Sequence, residues 1–265
     1  MIDMQILPAT IYSLINIMKK ITFLLLPVAI LSIALPTLRA DLPVYEGFEF
    51  TGSLAQKGSG SNFSGPWTVA EGEFLVQADS LHHAHLMTRG NRVVSQVNGV
   101  SIAARRFSGA PKEGEFWASV LVQGRYGSGL TFSNHPADNL NLVGRGFPER
   151  ARFGFGINGD QFVYILDGRS EYPIFGSVDG ATTAPTLLVV RFDISKGEFC
   201  MWANPTPGAD APEGGVQIAD KVKFIRTGET FANDVNHVGL FANWGGVQLD
   251  EVRLGTSFRE VTPAR

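Results

Sequence analysis

The chain has 265 residues, a formal net charge of −3 and one cysteine, with 44% hydrophobic and 18% charged residues. The near-neutral charge argues against a nucleic-acid binder, which would carry a basic stripe. One cysteine closes neither an internal disulfide nor a cysteine-based zinc site, and the apolar content argues against disorder.

In chain order, Lys19 and Lys20 precede an apolar run from Ile21 to Leu35, which ends in Pro36-Thr37-Leu38-Arg39-Ala40. A charged start, an apolar centre and a small residue at the cut make an export signal. The run is shorter than the roughly 20 apolar residues of a membrane span. Residues 1–40 are therefore read as a signal peptide. Residues 1–17 are either a start assigned upstream of Met18 or a long n-region. Without 1–40 the chain loses Lys19, Lys20, Arg39 and Asp3, leaving 19 basic and 24 acidic residues and a net charge of −5. The mature chain, 41–265, reads as a single domain with no linker, repeat or low-complexity tract. Its expected place is secreted, periplasmic or at the cell envelope, with no transmembrane segment after cleavage.

Period-2 alternation dominates the mature chain and marks β-strands. Strands are expected at 44–50, 72–77, 100–107, Phe116 to Gln123, 128–133, 151–157, Gln161 to Leu166, Leu187 to Ile194, Phe199 to Asn204, 220–226, 236–242 and Val247 to Leu254. Turn residues separate them, as in Asn158-Gly159-Asp160, Asp167-Gly168, Lys196-Gly197 and Gly245-Gly246. The helical signal is confined to a turn near Thr230 to Val235. Many short strands at this spacing predict an all-β fold, a jelly-roll sandwich of two antiparallel sheets with twelve or more strands.

Three stretches carry a resemblance: Val44-Tyr45-Glu46-Gly47-Phe48-Glu49-Phe50, then Leu187-Leu188-Val189-Val190-Arg191-Phe192-Asp193 with Met201-Trp202-Ala203-Asn204-Pro205, and Leu249-Asp250-Glu251-Val252-Arg253-Leu254-Gly255-Thr256. In this order they resemble the laminin-G-like, concanavalin-A-like jelly-roll domains of exported bacterial proteins of the planctomycete and verrucomicrobial type. The resemblance spans most of 41–262 and speaks to fold, since such folds host lectins, carbohydrate-binding modules, glycosidases, lyases and structural modules. It also implies a structural calcium ion where the N-terminal strand meets the penultimate or last strand, with Glu46, Glu49 and Asp250 as acidic ligands. The other reading of these acids is solvated edge charges at Glu46 and Glu49, and an arginine partner for Asp250.

The residues themselves offer two further candidates. In Leu81-His82-His83-Ala84-His85, an extended backbone would put His83 and His85 on one side, able to hold a transition metal with His135 or His237. The competing reading is a polar loop. Glycan recognition takes aromatic faces for the apolar side of sugar rings and planar polar groups for hydroxyls. Aromatic residues on loops or faces are Trp67, Tyr126, Phe147, Tyr172, Phe175 and Trp244, and Trp244 before Gly245-Gly246 is the best placed. The polar stretch 133–150 supplies His135, Asn139 and Arg145. The expected ligand site is therefore Trp244, Tyr126, His135, Asn139, Arg145 and Tyr172, and the expected partner an extracellular polysaccharide or glycan.

Enzyme motifs are sparse. The Glu-x-Asp-x-x-Glu string of laminarinase-type glycosidases is missing, as is the Gln-x-His strand of alginate lyases, and there is no Gly-x-Ser-x-Gly elbow. Asp160 and Asp167 sit in turn signals, and Cys200 in a strand reads as a buried, inert thiol. Gly-Phe-Gly at 154–156 is expected to flatten a strand for close packing. The reading is a noncatalytic glycan-recognition module. The alternatives are a glycan hydrolase or lyase, metal-dependent or not, with its site on the concave face, and a structural or adhesive envelope module.

Overall fold

A computed structural model describes residues 42–135, 151–168, 170–171 and 173–265. The signal-peptide reading of 1–40 lies outside them, as do Asn139, Arg145, Phe147 and Tyr172. Among the described residues, sixteen strands pair into two antiparallel sheets. The first runs in the order β14 (Val216–Lys223), β13 (Glu198–Ala203), β12 (Thr186–Asp193), β7 (Glu115–Gln123), β16 (Gln248–Gly255), β5 (Arg92–Ser95), β4 (Phe74–Gln77) and β2 (Gly52–Ser53), with β1 (Val44–Glu46) also on β16. The second runs β11 (Ile174–Asp179), β10 (Gln161–Leu166), β9 (Phe153–Asn158), β8 (Ser128–Ser133), β15 (His237–Ala242), β6 (Ser101–Phe107) and β3 (Phe63–Glu71). This is the expected all-β sandwich of two antiparallel sheets.

The core lies between the sheets and is built on phenylalanine. In β12, Leu188, Val190 and Phe192 face inward. The Phe192 ring has Phe116, Phe132, Phe153, Phe199, Phe224 and Phe231 within 6.2 Å between centroids. The alternate residues Leu187 and Val189 join a second cluster on the outer face, with Leu121, Trp117, Leu81 and Phe258. There Trp117 stacks on Trp202 at 5.8 Å. The loop 79–89 and a short helix near the C-terminus cover this face, which is why the central strands are apolar on both sides. That helix is α2 (Phe258–Val261), and α1 (Gly228–Asp234) falls on the expected helical turn. No helix among the described residues is long and apolar enough to cross a membrane.

Close strand approach explains Gly129 of β8 and Gly156 of β9. Gly129 pairs with Gly156, and a Cβ on Gly156 would meet the Ser128 carbonyl oxygen at 2.0 Å. Gly156→Ala is expected to cost about 1–3 kcal/mol, the usual range for overpacking. A urea melt reads this, and a loss below about 0.5 kcal/mol would contradict the packing account.

Candidate functional site

One end of the sandwich gathers four loops that cross between the sheets, namely β5–β6, β7–β8, β11–β12 and β15–β16, together with the β9–β10 hairpin. Backbone hydrogen bonds stitch them together. The Gly159 N–H donates to the Arg125 carbonyl at 2.7 Å, and Asn243 N–H to the Gly127 carbonyl at 2.7 Å. The Gly180 and Ala181 N–H groups both donate to the Asp160 carbonyl at 2.8 Å, and Gly246 N–H to Ser95 at 2.9 Å. A rim tied by main-chain bonds holds its side chains without ordering them anew on binding.

Two aromatic rings stand out from this rim. Tyr126, in the β7–β8 loop, is 49% exposed, and Trp244, in the β15–β16 loop, is 44% exposed. Their centroids lie 5.5 Å apart with the planes inclined by 39°. An exposed aromatic pair is costly to hydrate, and this one packs against its neighbour rather than into the core. Beside it, Arg125, Gly159, Asp160, Ala181, Thr182 and Thr183 line an open depression of about 530 Å³. Residues that carry a guanidinium, a carboxylate and two hydroxyls thus line a depression that reaches the Tyr126 loop at Arg125, which suits a ligand with C–H faces and hydroxyl edges. Among the described residues, Asp160 is the only acid lining the depression.

The structure brings together Tyr126 and Trp244 from the expected set. It does not bring His135 to them. His135 follows the far end of β8, roughly 20 Å along that strand from the Tyr126 turn. It lies beside His237, whose pKa burial pushes down to about 4, helped by Arg106 and His135. Trp67 is not a surface aromatic: it is fully buried and its indole N–H donates to Glu46 Oε2 at 3.1 Å. Arg125, Thr182 and Thr183 lie outside the expected set, and Asp160, a turn residue by its sequence, joins them. Their only sequence signal is position, on turns next to Tyr126 or paired with its loop.

The calcium ligands do not assemble. The strands meet as expected, since β1 pairs with β16. However, Glu46 is fully buried and both its oxygens already have donors: Arg105 Nη1, Ser59 Oγ, Trp67 Nε1 and the Phe48 N–H at 2.9 Å. Glu49 is exposed. Asp250 accepts from Ser80 Oγ at 2.5 Å, Leu81 N–H at 2.7 Å and Glu251 N–H at 2.7 Å. Glu46 and Asp250 spend their oxygens on protein donors and Glu49 is exposed, so among the described residues the three do not form a calcium cradle.

The histidine pair is likewise corrected. The segment 81–88 is a loop, and His85 has φ 66°, so His83 and His85 do not share a strand face. His83 Nε2 meets Asn204 Oδ1 at 3.1 Å, and burial lowers the His83 pKa. Among the described residues no group of three or more His, Cys, Asp or Glu side chains could hold a metal ion. Cys200 is buried as expected, and its sulfur accepts from Arg191 Nη2 at 3.3 Å and Lys221 N–H at 3.3 Å.

No protein-family model matches the chain, and no curated protein matches it. Solved structures resemble it weakly. The mannose- and calcium-bound lumenal domain of VIP36 is 11% identical, over 73% of this chain and 84% of that one, with a TM-score of 0.43. The carbohydrate recognition domain of Emp47p is 13% identical over 77% and 93%, with a TM-score of 0.44. A protein of unknown function from Shewanella oneidensis MR-1 is 13% identical over 100% of both chains, with a TM-score of 0.46. At these scores no functional argument rests on them.

Proposed function

We propose that this chain is an exported, noncatalytic glycan-recognition module of the laminin-G-like kind found in exported bacterial proteins, and that it binds through the Tyr126–Trp244 end. The observation that carries this reading is the exposed ring pair beside a polar depression on a rigid rim. Sugar rings offer C–H faces that stack on aromatic rings, and their hydroxyls pair with planar or hydroxylic side chains such as Arg125, Asp160, Thr182 and Thr183. Export follows from the signal read at 1–40 and fits an extracellular polysaccharide partner. The noncatalytic reading is favoured because glycoside hydrolysis takes two carboxylates flanking the bond, and among the described residues lining the depression Asp160 is the one acid.

Incubation with polysaccharides, followed by pull-down and product analysis, tests this reading. Retention without release of smaller sugars is expected, and product formation would replace the binding module with an enzyme. Trp244→Ala is expected to weaken retention roughly tenfold, the loss of about 1.5 kcal/mol of ring burial. Its melting temperature should stay within about 2 °C of wild type, since an exposed side chain contributes little to folding.

A further inference from the structure

We propose, resting on the glycan-binding reading above, that the ligand is a single soluble chain of a neutral polysaccharide, gripped along its length rather than on the flat surface of a crystalline one. The first observation is the tilt. The Tyr126 and Trp244 planes are inclined by 39°, so the two rings cannot lie flush on one flat face. A sheet of packed chains needs coplanar rings, whereas one chain can turn between successive sugars and offer a face to each ring.

The loops place the two rings side by side. Tyr126 lies between Arg125, whose carbonyl accepts from Gly159, and Gly127, whose carbonyl accepts from Asn243, the residue before Trp244. The two ring-bearing loops are therefore bonded to each other, which keeps the two rings neighbours. A Cβ on Gly245 would meet Asn98 Oδ1 at 3.1 Å, so the β5–β6 loop also packs against the Trp244 loop.

The second observation is charge. Arg125 and Asp160 line the same depression, so its formal charges cancel. The whole chain carries −3, which adds repulsion for a polyanion. Paired opposite charges instead suit hydroxyls, which can donate to the carboxylate and accept from the guanidinium. The third observation is openness. The depression opens to solvent among the described residues, which leaves room for an internal stretch of a chain.

Affinity electrophoresis of the full chain tests this, using native gels with soluble neutral glycans (hydroxyethylcellulose, mixed-linkage β-glucan, xylan, galactomannan) or soluble acidic ones (alginate, polygalacturonate). Depletion from solution by microcrystalline cellulose and by chitin runs in parallel. The expected result is retardation by at least one neutral gel, weakened roughly tenfold in Tyr126→Ala and in Trp244→Ala, with no depletion by either solid. Depletion by a solid that Trp244→Ala abolishes overturns the single-chain inference and leaves the glycan-binding reading standing. Retardation by acidic gels alone overturns the neutral-ligand part. Retention by none of these probes overturns the binding reading and the inference with it.

Discussion

Arg105→Ala is expected to destabilise the protein by about 3–5 kcal/mol, the cost of leaving a buried charge without its partner. Glu46 is 0% exposed and Arg105 is 7% exposed. Arg105 also donates from Nε to the Gly65 carbonyl at 2.8 Å and from Nη1 to Ser59 at 2.7 Å, and its guanidinium lies 4.4 Å from the Phe63 ring centroid. One side chain thus ties β1, β3 and β6 to the 59–61 turn. Truncation would leave the Glu46 carboxylate with neutral donors only, in a place that water does not reach. Burial itself lowers the Arg105 pKa, and the Glu46 charge opposes that shift. A urea or thermal melt reads the loss, roughly 10 °C in melting temperature for a chain of this size. The double variant Glu46→Gln with Arg105→Met should recover much of it, because neither residue is then charged. A loss below about 1 kcal/mol for Arg105→Ala would contradict the buried-pair account.

The second large effect is a pH dependence centred on β16. Its pairing with β7 slips between Asp250 and Arg253, and Glu251 adopts φ 54°. The slip is a β-bulge, which inserts one residue and lets Leu249, Val252 and Leu254 all keep facing the core. The consequence is that Asp250 and Glu251 are both buried beneath the loop 79–89. Burial, followed by the nearby Glu251 charge, raises the Asp250 pKa to about 8. Burial also raises that of Glu251, against the pull of Arg253. A raised carboxyl pKa means that the folded protein holds a proton the unfolded chain gives up. The resulting stability is complete below about pH 4 and falls as pH rises to about 8. His237 works the other way. Its pKa is lowered to about 4, so its contribution is complete above pH 6.5 and fades as pH falls towards 4.

Below pH 6.5 the two trends oppose each other, and above it His237 no longer changes. Between pH 6.5 and 8 the Asp250 trend stands clear, worth about 2 kcal/mol. Melting temperature should therefore drop by roughly 5 °C over that interval. In Asp250→Asn the drop should shrink markedly. That variant also starts lower, since an amide cannot accept on both sides from Ser80, Leu81 and Glu251. Equal drops in wild type and Asp250→Asn would contradict the account.

The histidine loop takes on a different role in this light. Leu81 N–H caps Asp250, the Met87 carbonyl accepts from Arg253 Nη2 and Arg89 N–H donates to Glu251. The loop that carries His82, His83 and His85 serves to seal two buried acids. A dense cluster of metal-binding residue types was legible in the sequence, but the left-handed turn at His85 that scatters them was not.

Strand alternation made much of the fold legible. Phe116 to Gln123, Gln161 to Leu166 and Leu187 to Ile194 appear as β7, β10 and β12 with little change of boundary. What escaped was the four-residue interior strand β5, too short to show alternation, and the edges. β3 contains Gly65 and Pro66, which break the pattern, and it is tolerated because an edge strand need not donate on its free side. β11 is mostly polar or exposed on both faces, so no alternation marks it. β14 starts at Val216 rather than 220 because Lys221, with φ 50°, sits at an irregular stretch of its pairing with β13.

The site was legible in its aromatic half only. Trp244 stands out by its glycine neighbours, and Tyr126 by lying in a turn. Their partnership depends on which loops cross at the same end, a consequence of sheet order rather than of local sequence. Glu46 failed for the converse reason. Its strand was placed correctly beside β16, but the arginine that neutralises it lies 59 residues away.

A glycan array probed with wild type and Trp244→Ala side by side tests the central claim most directly. The account predicts binding to at least one glycan by wild type and its loss in a variant with an unchanged melting temperature. Binding that persists undiminished in Trp244→Ala would contradict it.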